Sequence, residues 1–212
     1  NAQYGHEHSY HHFRTFDNIK SLPVRLTEAG YRTARIGKLH VGPEEVYKFG
    51  QALPGNARSP VEMAENCREL IAAKSDQPFF LYFCTADPHR SGGAKTLTPA
   101  LSQGERELKA DPFGNRPQGY PGITEMNYDP KQILVPPFLP DTKACREELA
   151  QYYQSVSRID QGLGRLVQIL KESGHYEDTL LIFTSDHGIA FPGAKTNLYE
   201  PGMRVPMVIR GG

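Results

Sequence analysis

Two near-continuous apolar runs, each followed at once by polar residues, constrain the fold of this chain most strongly. Residues 78–85 read PFFLYFCT and residues 179–184 read TLLIFT. Apolar runs of this length, rich in branched and aromatic side chains, are typical of strands buried on both faces of a parallel sheet. Because parallel neighbours need long crossover connections, helices are expected between the strands.

The rest of the chain alternates helical and extended patterns as that sheet requires. Ser followed by Pro predicts a helix start, and Gly after an apolar stripe predicts a helix end. The predicted helices are residues 21–29, a helix that begins at Ser59-Pro60, and a long helix from its cap Asp141 to Gly174; the predicted strands are residues 31–36, 78–85, 179–184 and 206–210. These elements predict the α/β class, with a largely parallel sheet flanked by helices.

Residues 90–140 differ from the rest of the chain because they are rich in proline and glycine. So long a stretch without a regular pattern is usually functional or disordered in a compact domain. We interpret it as a long irregular loop excursion over a site, and not as a linker between domains.

The charge balance excludes some functions. Lys plus Arg and Asp plus Glu both number 24, whereas binding to nucleic acid or to a membrane surface needs a basic excess. No apolar run approaches the ~18 residues of a membrane span. Cys67, Cys84 and Cys145 lack metal-binding spacing, and we expect all three to be buried packing residues. No interface stripe is visible, so the oligomeric state stays open.

Polar residues follow three of the predicted strands. The clusters are Lys38 with His40, Asp87 with His89 and Arg90, and Asp186 with His187. Ligands of open parallel sheets bind outside the carboxyl ends of the strands. We therefore expect these groups, together with Lys195 from a glycine-rich loop, to converge at one edge of the sheet as a site for an anion.

Each of these residues also has an ordinary structural explanation. Asp186 and His187 offer oxygen and nitrogen to a divalent metal, but they also suit a turn. Lys38 suits an anion or plain solvation, and His89 suits a general acid or a loop position. A histidine-dense segment is interpreted as the polar rim of a site in preference to a metal site; its members are His6, His8, His11 and His12.

The motifs and their order resemble the sulfatase family of the alkaline-phosphatase-like superfamily. The order is GKLH, PFFLYF with ADPH, the long helix with RIDQGLG, LLIFTSDHG, and YEPGMRVPMVI. The sulfamidase branch of the family is the most similar; the segments that resemble it are HHFRTFDNIKSLP, IGKLHVGPE, DPHRSGG, YDPKQILVPPFLPDT and FPGAKTNLY. The likeness covers nearly the whole chain.

This resemblance implies a hydrolase that releases sulfate from a sulfated sugar or a glycosaminoglycan fragment, and from N-sulfoglucosamine in particular. In the family, a cysteine or serine becomes formylglycine, whose hydrated aldehyde attacks sulfur while calcium and several cations hold the sulfate. Such charges lower the barrier because negative charge develops on the sulfate oxygens. Members are periplasmic, secreted or lysosomal, and the sequence does not choose between these compartments.

The motifs assign roles to seven residues. The catalytic residues would be Lys38 and His40 beside the nucleophile and His89 beside the leaving group; the substrate-binding residues would be Lys195 and Arg90; the metal ligands would be Asp186 and His187. Arg90, together with Arg116, is expected to contact acidic groups of the sugar, and the loop excursion is expected to set substrate choice.

Two of these positions depart from the sulfamidase pattern, which has Asn at position 187 and Arg at position 195. Lys195 keeps the charge without the planar guanidinium fork. The His187 nitrogen is softer than calcium prefers, so manganese, iron and zinc stay alternatives to calcium.

The nucleophile motif, of the C-x-P-S-R type, does not occur in residues 1–212. We expect it, with paired metal aspartates, upstream of residue 1, and a smaller C-terminal subdomain after residue 212. Residues 1–212 would then be a partial catalytic domain that is inactive alone. Two alternatives stay open: a phosphodiester or phosphonate-ester hydrolase of the same superfamily, and a non-catalytic fragment that binds sulfated glycans.

Overall fold

A computed structural model describes residues 14–90 and 111–211. The helices are α1 (Leu22–Glu28), α2 (Pro60–Asn66), α3 (Arg68–Ala72), α4 (Lys143–Glu172) and α5 (Glu200–Met203); the strands are β1 (Arg32–Gly37), β2 (Gln51–Leu53), β3 (Phe79–Cys84), β4 (Leu181–Thr184) and β5 (Met207–Arg210). The histidine-dense segment and residues 91–110 of the loop excursion lie outside the described residues.

A three-stranded parallel sheet confirms the predicted class. β1 lies at its centre, between β2 and β3. The strand ends at Gly37, where φ is +84° and an added Cβ would lie 2.1 Å from the Cys84 carbonyl oxygen, so only glycine fits. The Lys38 backbone N–H donates to that same oxygen at 2.8 Å. The carboxyl ends of β1 and β3 therefore lie side by side.

One apolar core joins this sheet to the helices. Its buried members come from β1, from the α2–α3 segment and from the second half of α4: Ile36, Met63, Ala64, Cys67, Ile71, Leu166, Ile169 and Leu170. Burial raises the pKa of the Cys67 thiol to about 12, which makes it an inert packing residue. The prediction that all three cysteines are buried is wrong for the other two, since Cys84 and Cys145 are partly exposed.

The long helix α4 begins one residue later than predicted. Thr142 is the N-cap, and its hydroxyl oxygen accepts from the Cys145 backbone N–H at 3.2 Å. Asp141 forms an ion pair with Arg146 at 2.5 Å instead. Gly174 lies just beyond the end of α4 with φ +81°, as predicted for a helix stop.

The buried face of α4 contains polar residues that an apolar stripe does not reveal. Ser155 and Arg158 are buried, whereas Val156 is 37% exposed. Both polar side chains find hydrogen-bond partners, Ser155 on the Tyr152 carbonyl and Arg158 in the network described below. Burial of a polar group is tolerated when such partners are present.

Strands β4 and β5 depart from the predicted pairing. They pair with each other in antiparallel register, and within the described residues they form a sheet separate from the parallel one. Ile182 and Val208 are more than half exposed. Residues 179–184 were predicted to be buried on both faces, and that prediction is wrong for this part of the chain.

Residues 111–140 contain turns and no helix or strand, as the proline and glycine content predicted. They pack along α4 in a second apolar cluster, which also includes the loop after β4; its buried members are Phe113, Ile133, Leu139, Leu149, Ala150 and Phe191. The loop excursion therefore reaches the segment that carries Lys195.

No helix in the described parts of the chain combines the length and apolar character needed to cross a bilayer.

The crossing of α2 and α4 generates a stability prediction. An added Cβ at Gly162 of α4 would lie 2.3 Å from the Pro60 Cβ, whereas Gly164, on the same helix, has nothing within 4 Å. Gly162→Ala should reduce the free energy of unfolding by roughly 1–3 kcal/mol through overpacking.

The matched variant Gly164→Ala should stabilise by up to ~1 kcal/mol, because alanine favours helix. Thermal melts of both variants in the whole gene product that contains this chain test the contrast. A Gly162→Ala melting temperature equal to that of Gly164→Ala would contradict the close crossing.

Candidate active site

Basic residues from three loops lie beyond the carboxyl ends of the strands. Lys38 follows β1, His89 follows β3, and His187 follows β4. Lys195 lies on the loop between β4 and α5. Lys195, Lys38 and His187 all act electrostatically on His89, so four of the seven predicted site residues form one electropositive cluster.

The pKa of His89 is shifted by this cluster. Burial lowers the pKa most, and the charges of Lys195, Lys38, Arg58 and His187 lower it further. Since the ordinary value is near 6.5, His89 is mainly neutral at pH 7 while no anion is present.

Lys195 responds to the same surroundings. Burial lowers its pKa, the Lys38 charge lowers it further, and Asp186 opposes the shift. Asp186 also acts on Tyr82 of β3, whose pKa is raised first by burial and then by hydrogen bonding to Cys84. These couplings bring Asp186 to the cluster, as a carboxylate among cations.

Asp186 and His187 form a partial donor set for a metal. The Asp186 carboxylate oxygen lies 3.6 Å from His187 Nε2, and the carboxylate side chain is 80% exposed. His187 Nδ1 lies 2.8 Å from the Gly188 carbonyl oxygen, which can only accept, so Nδ1 carries the proton. In the neutral imidazole, Nε2 then carries the lone pair, which is the arrangement that metal-bound histidines adopt.

Among the described residues, no further His, Cys, Asp or Glu joins this pair in a group that could hold a metal ion. A hard cation normally takes six or more oxygen-type ligands, so the pair fits one side of a metal site and does not complete it.

The remaining predicted residues are His40 and Arg116. His40 is exposed on the loop after β1, and its role beside the nucleophile stays a prediction. The Arg116 guanidinium lies 4.0 Å from the centre of the Tyr120 ring. It lines a small cavity of about 20 Å³ with Arg158, and the electropositive cluster does not include it.

A buried ion network supports the loop that carries His89. The Asp87 carboxylate is fully buried, and it accepts from Arg58 at 2.5 Å and from Arg158 at 2.9 Å. Burial raises the pKa of Asp87, while the Arg158 and Arg58 guanidinium groups oppose the rise. Two permanently charged partners at this distance keep the carboxylate ionised.

The same two arginines also bind backbone carbonyls. Arg58 donates to the His89 carbonyl at 3.0 Å and to the Phe113 carbonyl at 2.8 Å. Arg158 donates to the Phe113 carbonyl at 2.8 Å and to Asn115 Oδ1. The network therefore fixes the loop after β3 against both the loop excursion and the middle of α4.

A cavity of about 420 Å³ opens next to the cationic cluster. It is lined by Arg90, Glu148, Ala190, Phe191, Pro192 and Lys195. Arg90 forms an ion pair with Glu148 of α4 at 2.8 Å. Lys195 belongs both to this cavity and to the cluster around His89, so a molecule held at the cluster would extend into the cavity.

Sequence reasoning missed Arg58, Arg158 and Glu148. Arg158 stands in the RIDQGLG motif, but its role depends on Asp87, which lies 71 positions away in the sequence. Glu148 lies one turn inside α4, where a carboxylate is ordinarily assigned to a solvated helix face. Only the fold brings these residues to the site.

The Asp87 network generates a second stability prediction. Arg158→Met should lower the free energy of unfolding of the whole gene product by roughly 3–5 kcal/mol, because it removes one partner of a buried charge. The control Arg165→Met, on the same helix, removes partly exposed ion pairs with Glu65 and Glu172 and should cost only ~0–1 kcal/mol. Thermal melts compare them, and equal losses would contradict a structural role for the network.

The cationic cluster generates a prediction for the pKa of His89. Lys195→Met should raise that pKa, because it removes the largest of the charges that lower it. The control Lys143→Met, at a side chain that is 90% exposed on α4, should leave it unchanged. A proton NMR titration of the imidazole signals, with His89→Gln to assign the His89 signal, measures the shift. An unchanged His89 pKa in Lys195→Met would show that Lys195 does not belong to the cluster around His89.

The sequence is similar to that of known sulfohydrolases and sulfatases. Human N-sulphoglucosamine sulphohydrolase is 42% identical over 99% of this chain, and the chain covers 42% of the human protein. The uncharacterised sulfatase YdeN of Escherichia coli is 36% identical over 88% of this chain, which covers 38% of that protein. The chain thus spans well under half the length of these curated relatives.

Solved structures agree on the fold. The Bacteroides fragilis protein YidJ, a proposed sulfatase, has a TM-score of 0.61 at 18% identity, covering 93% of this chain and 50% of that one. The phosphonate monoester hydrolase of Agrobacterium radiobacter has a TM-score of 0.56 at 16% identity, covering 93% and 54%. Both matches support the alkaline-phosphatase-like fold and carry no argument about substrate.

The sulfatase family model matches residues 1–212, the whole chain. Together with the identity to the human sulphohydrolase, this match establishes that the chain belongs to the sulfatase family.

Proposed function

We propose that this chain carries the sulfate-binding side of an active site that hydrolyses a sulfated sugar, with the N-sulfate of glucosamine as the substrate. The observation that carries the proposal is the cluster in which Lys38, Lys195 and His187 act on His89 beside an open cavity. The human relative, an N-sulphoglucosamine sulphohydrolase, supports this choice of sugar.

Lys38 and Lys195 bind the sulfate oxygens in this proposal. Burial lowers the pKa of Lys195 most, and the charge of Lys38 lowers it further because the two ammonium groups repel each other. An anion between them relieves that repulsion, so the site favours a sulfate before any chemistry begins. Fixed cations are most effective where negative charge develops on the sulfate oxygens during the reaction.

His89 acts on the leaving group. A bound sulfate offsets the charges of Lys195 and Lys38. It therefore raises the pKa of the imidazole and favours its protonated form. A His89 ring nitrogen then holds a proton and delivers it to the leaving nitrogen of a sulfamate or the leaving oxygen of a sulfate ester. His40 is proposed to hydrogen-bond the nucleophile, as the motif implies.

Asp186 and His187 Nε2 would hold one side of a divalent cation. When bound, the cation and the formylglycine of the family would supply positive charge at a sulfate oxygen and the attacking oxygen. Calcium is the metal that the family implies, and the His187 nitrogen keeps manganese, iron and zinc as alternatives. Metal analysis of the purified whole gene product distinguishes them.

A phosphonate or phosphodiester hydrolase is the second candidate. Its supporting observation is His187, whose Nδ1 donates to the Gly188 carbonyl and leaves Nε2 for a metal softer than calcium. The same cations would bind a phosphonate or phosphate group. The third candidate is a non-catalytic fragment that binds sulfated glycans. In that case the cationic cluster would bind the glycan but would not hydrolyse it.

The test is a side-by-side assay on N-sulfoglucosamine and on an aryl phosphodiester. The whole gene product should release sulfate from the first and prefer it to the second, and residues 1–212 alone should turn over neither, because they contain no C-x-P-S-R-type motif. Lys38→Ala should lower kcat by about 10²–10³-fold, the cost of losing one fixed donor to the transition state.

Three results would change the assignment. Preference for the phosphodiester would favour the second candidate. Glycan binding by the whole gene product without turnover would favour the third. Turnover of N-sulfoglucosamine by residues 1–212 alone would show that the nucleophile had been wrongly sought outside this chain.

A further inference from the structure

We propose that the cavity lined by Arg90 and Glu148 is a subsite for the sugar ring, and that Glu148 is its specificity-determining residue. Glu148 would bind the uncharged 3-hydroxyl of the sugar, on the ring carbon next to the N-sulfated one. This inference rests on the proposed function and extends it from the sulfate to the rest of the substrate.

Two of its lining residues place the cavity beside the cationic cluster. Arg90 is the residue after His89, and Lys195 lines the cavity while acting electrostatically on His89. A sulfate held by the cluster therefore has its attached group in the cavity. The volume of about 420 Å³ lies within the ~300–1,000 Å³ range of small-molecule sites.

The polar groups of the cavity suit hydroxyls. Arg90 Nη2 donates to Glu148 Oε1 at 2.8 Å, which leaves Glu148 Oε2 without a hydrogen-bond partner among the described residues. A carboxylate only accepts and a guanidinium only donates, whereas a hydroxyl does both. The pair thus offers a neighbouring hydroxyl one acceptor and one donor.

The walls of the cavity hold these groups in place. Phe191 is buried and stacks on Phe113 with ring centroids 5.9 Å apart, so the loop excursion supports this wall from behind. Glu148 precedes the fully buried Leu149 on α4, which fixes the direction of its backbone. A wall with buried support of this kind reduces the entropy that is lost when a ligand binds.

The charge of the pair changes what Arg90 is expected to bind. The sequence suggested that Arg90 contacts acidic groups of the sugar. Because Glu148 already neutralises Arg90, a second anionic substituent would have to displace a carboxylate and lie beside it. The subsite therefore favours a hydroxyl and disfavours a second sulfate at this ring position.

The experiment compares three substrates in the whole gene product: N-sulfoglucosamine, its 3-deoxy analogue and its 3-O-sulfo derivative. The wild type should lose roughly tenfold to a hundredfold in kcat/KM on the 3-deoxy analogue, because a hydrogen bond to a charged group is missing. It should be poorer still on the 3-O-sulfo derivative.

Glu148→Gln should weaken both discriminations, narrowing the preference for hydroxyl over sulfate by at least about tenfold, because the like-charge contact is gone. The matched control is Glu147→Gln, the same change one position away at a side chain that is 51% exposed and faces Lys143. It should keep the wild-type preferences.

Arg90→Gln should reduce turnover of all three substrates, with the smallest loss on the 3-deoxy analogue. An aryl sulfate without a sugar reports the sulfate chemistry separately, and Glu147→Gln should cleave it at the wild-type rate.

The outcomes separate the two proposals. If N-sulfoglucosamine is cleaved but Glu148→Gln discriminates like Glu147→Gln, the subsite assignment is wrong and the proposed function stands. If neither N-sulfoglucosamine nor the aryl sulfate is cleaved, the proposed function fails and the subsite fails with it. A narrowed preference in Glu148→Gln, with an unchanged melting temperature and with wild-type preferences in Glu147→Gln, supports the subsite.

Discussion

The burial of one carboxylate, that of Asp87, organises the part of the fold that forms the site. Removing an ion from water costs several kcal/mol, and only close partners of opposite charge offset that cost. Arg58 and Arg158 supply them at 2.5 and 2.9 Å. Arg58 precedes α2, Arg158 lies in the middle of α4, and Asp87 follows β3, so the network forms only when these three segments are assembled together.

The network also positions the site residues, because its arginines bind backbone carbonyl groups. Arg58 holds the His89 carbonyl, and both arginines hold the Phe113 carbonyl. Phe113 in turn packs on Phe191, which lies four residues before Lys195. The backbone of His89 and the loop that carries Lys195 are thus both held by one polar network and the apolar cluster that it contacts through Phe113. The rigidity of the site comes from long-range contacts, as preorganised electrostatics requires.

Local patterns predicted much of the fold, and non-local contacts explain what they missed. The run before Cys84 predicted β3, and polar residues after the strands predicted His89, Lys38 and Asp186 near one another. The same reasoning assigned the cap of α4 to Asp141, where Thr142 caps and Asp141 pairs with Arg146, since either residue type suits an N-cap. It also treated residues 179–184 as a strand buried on both faces, because composition reports how apolar a strand is and not which strands pair with it. No local signal marks a buried arginine, because its burial depends on a carboxylate far away in the sequence.

The distribution of charge divides the site into two halves with different tasks. Around His89, the charges of Lys38 and Lys195 repel each other and Asp186 partly compensates that of Lys195, so this half would gain most when an anion enters. Beside it, Arg90 and Glu148 cancel each other, so this half gains from hydroxyl groups and not from charge. Lys195 belongs to both halves and sets the boundary between them. Under the proposed function, a sugar with a single sulfate would match both halves in one orientation only, because the reversed orientation would put the sulfate against Glu148 and a hydroxyl beside the two lysines. In that proposal, the distribution of charge selects which end of the substrate meets His89 before any bond is broken.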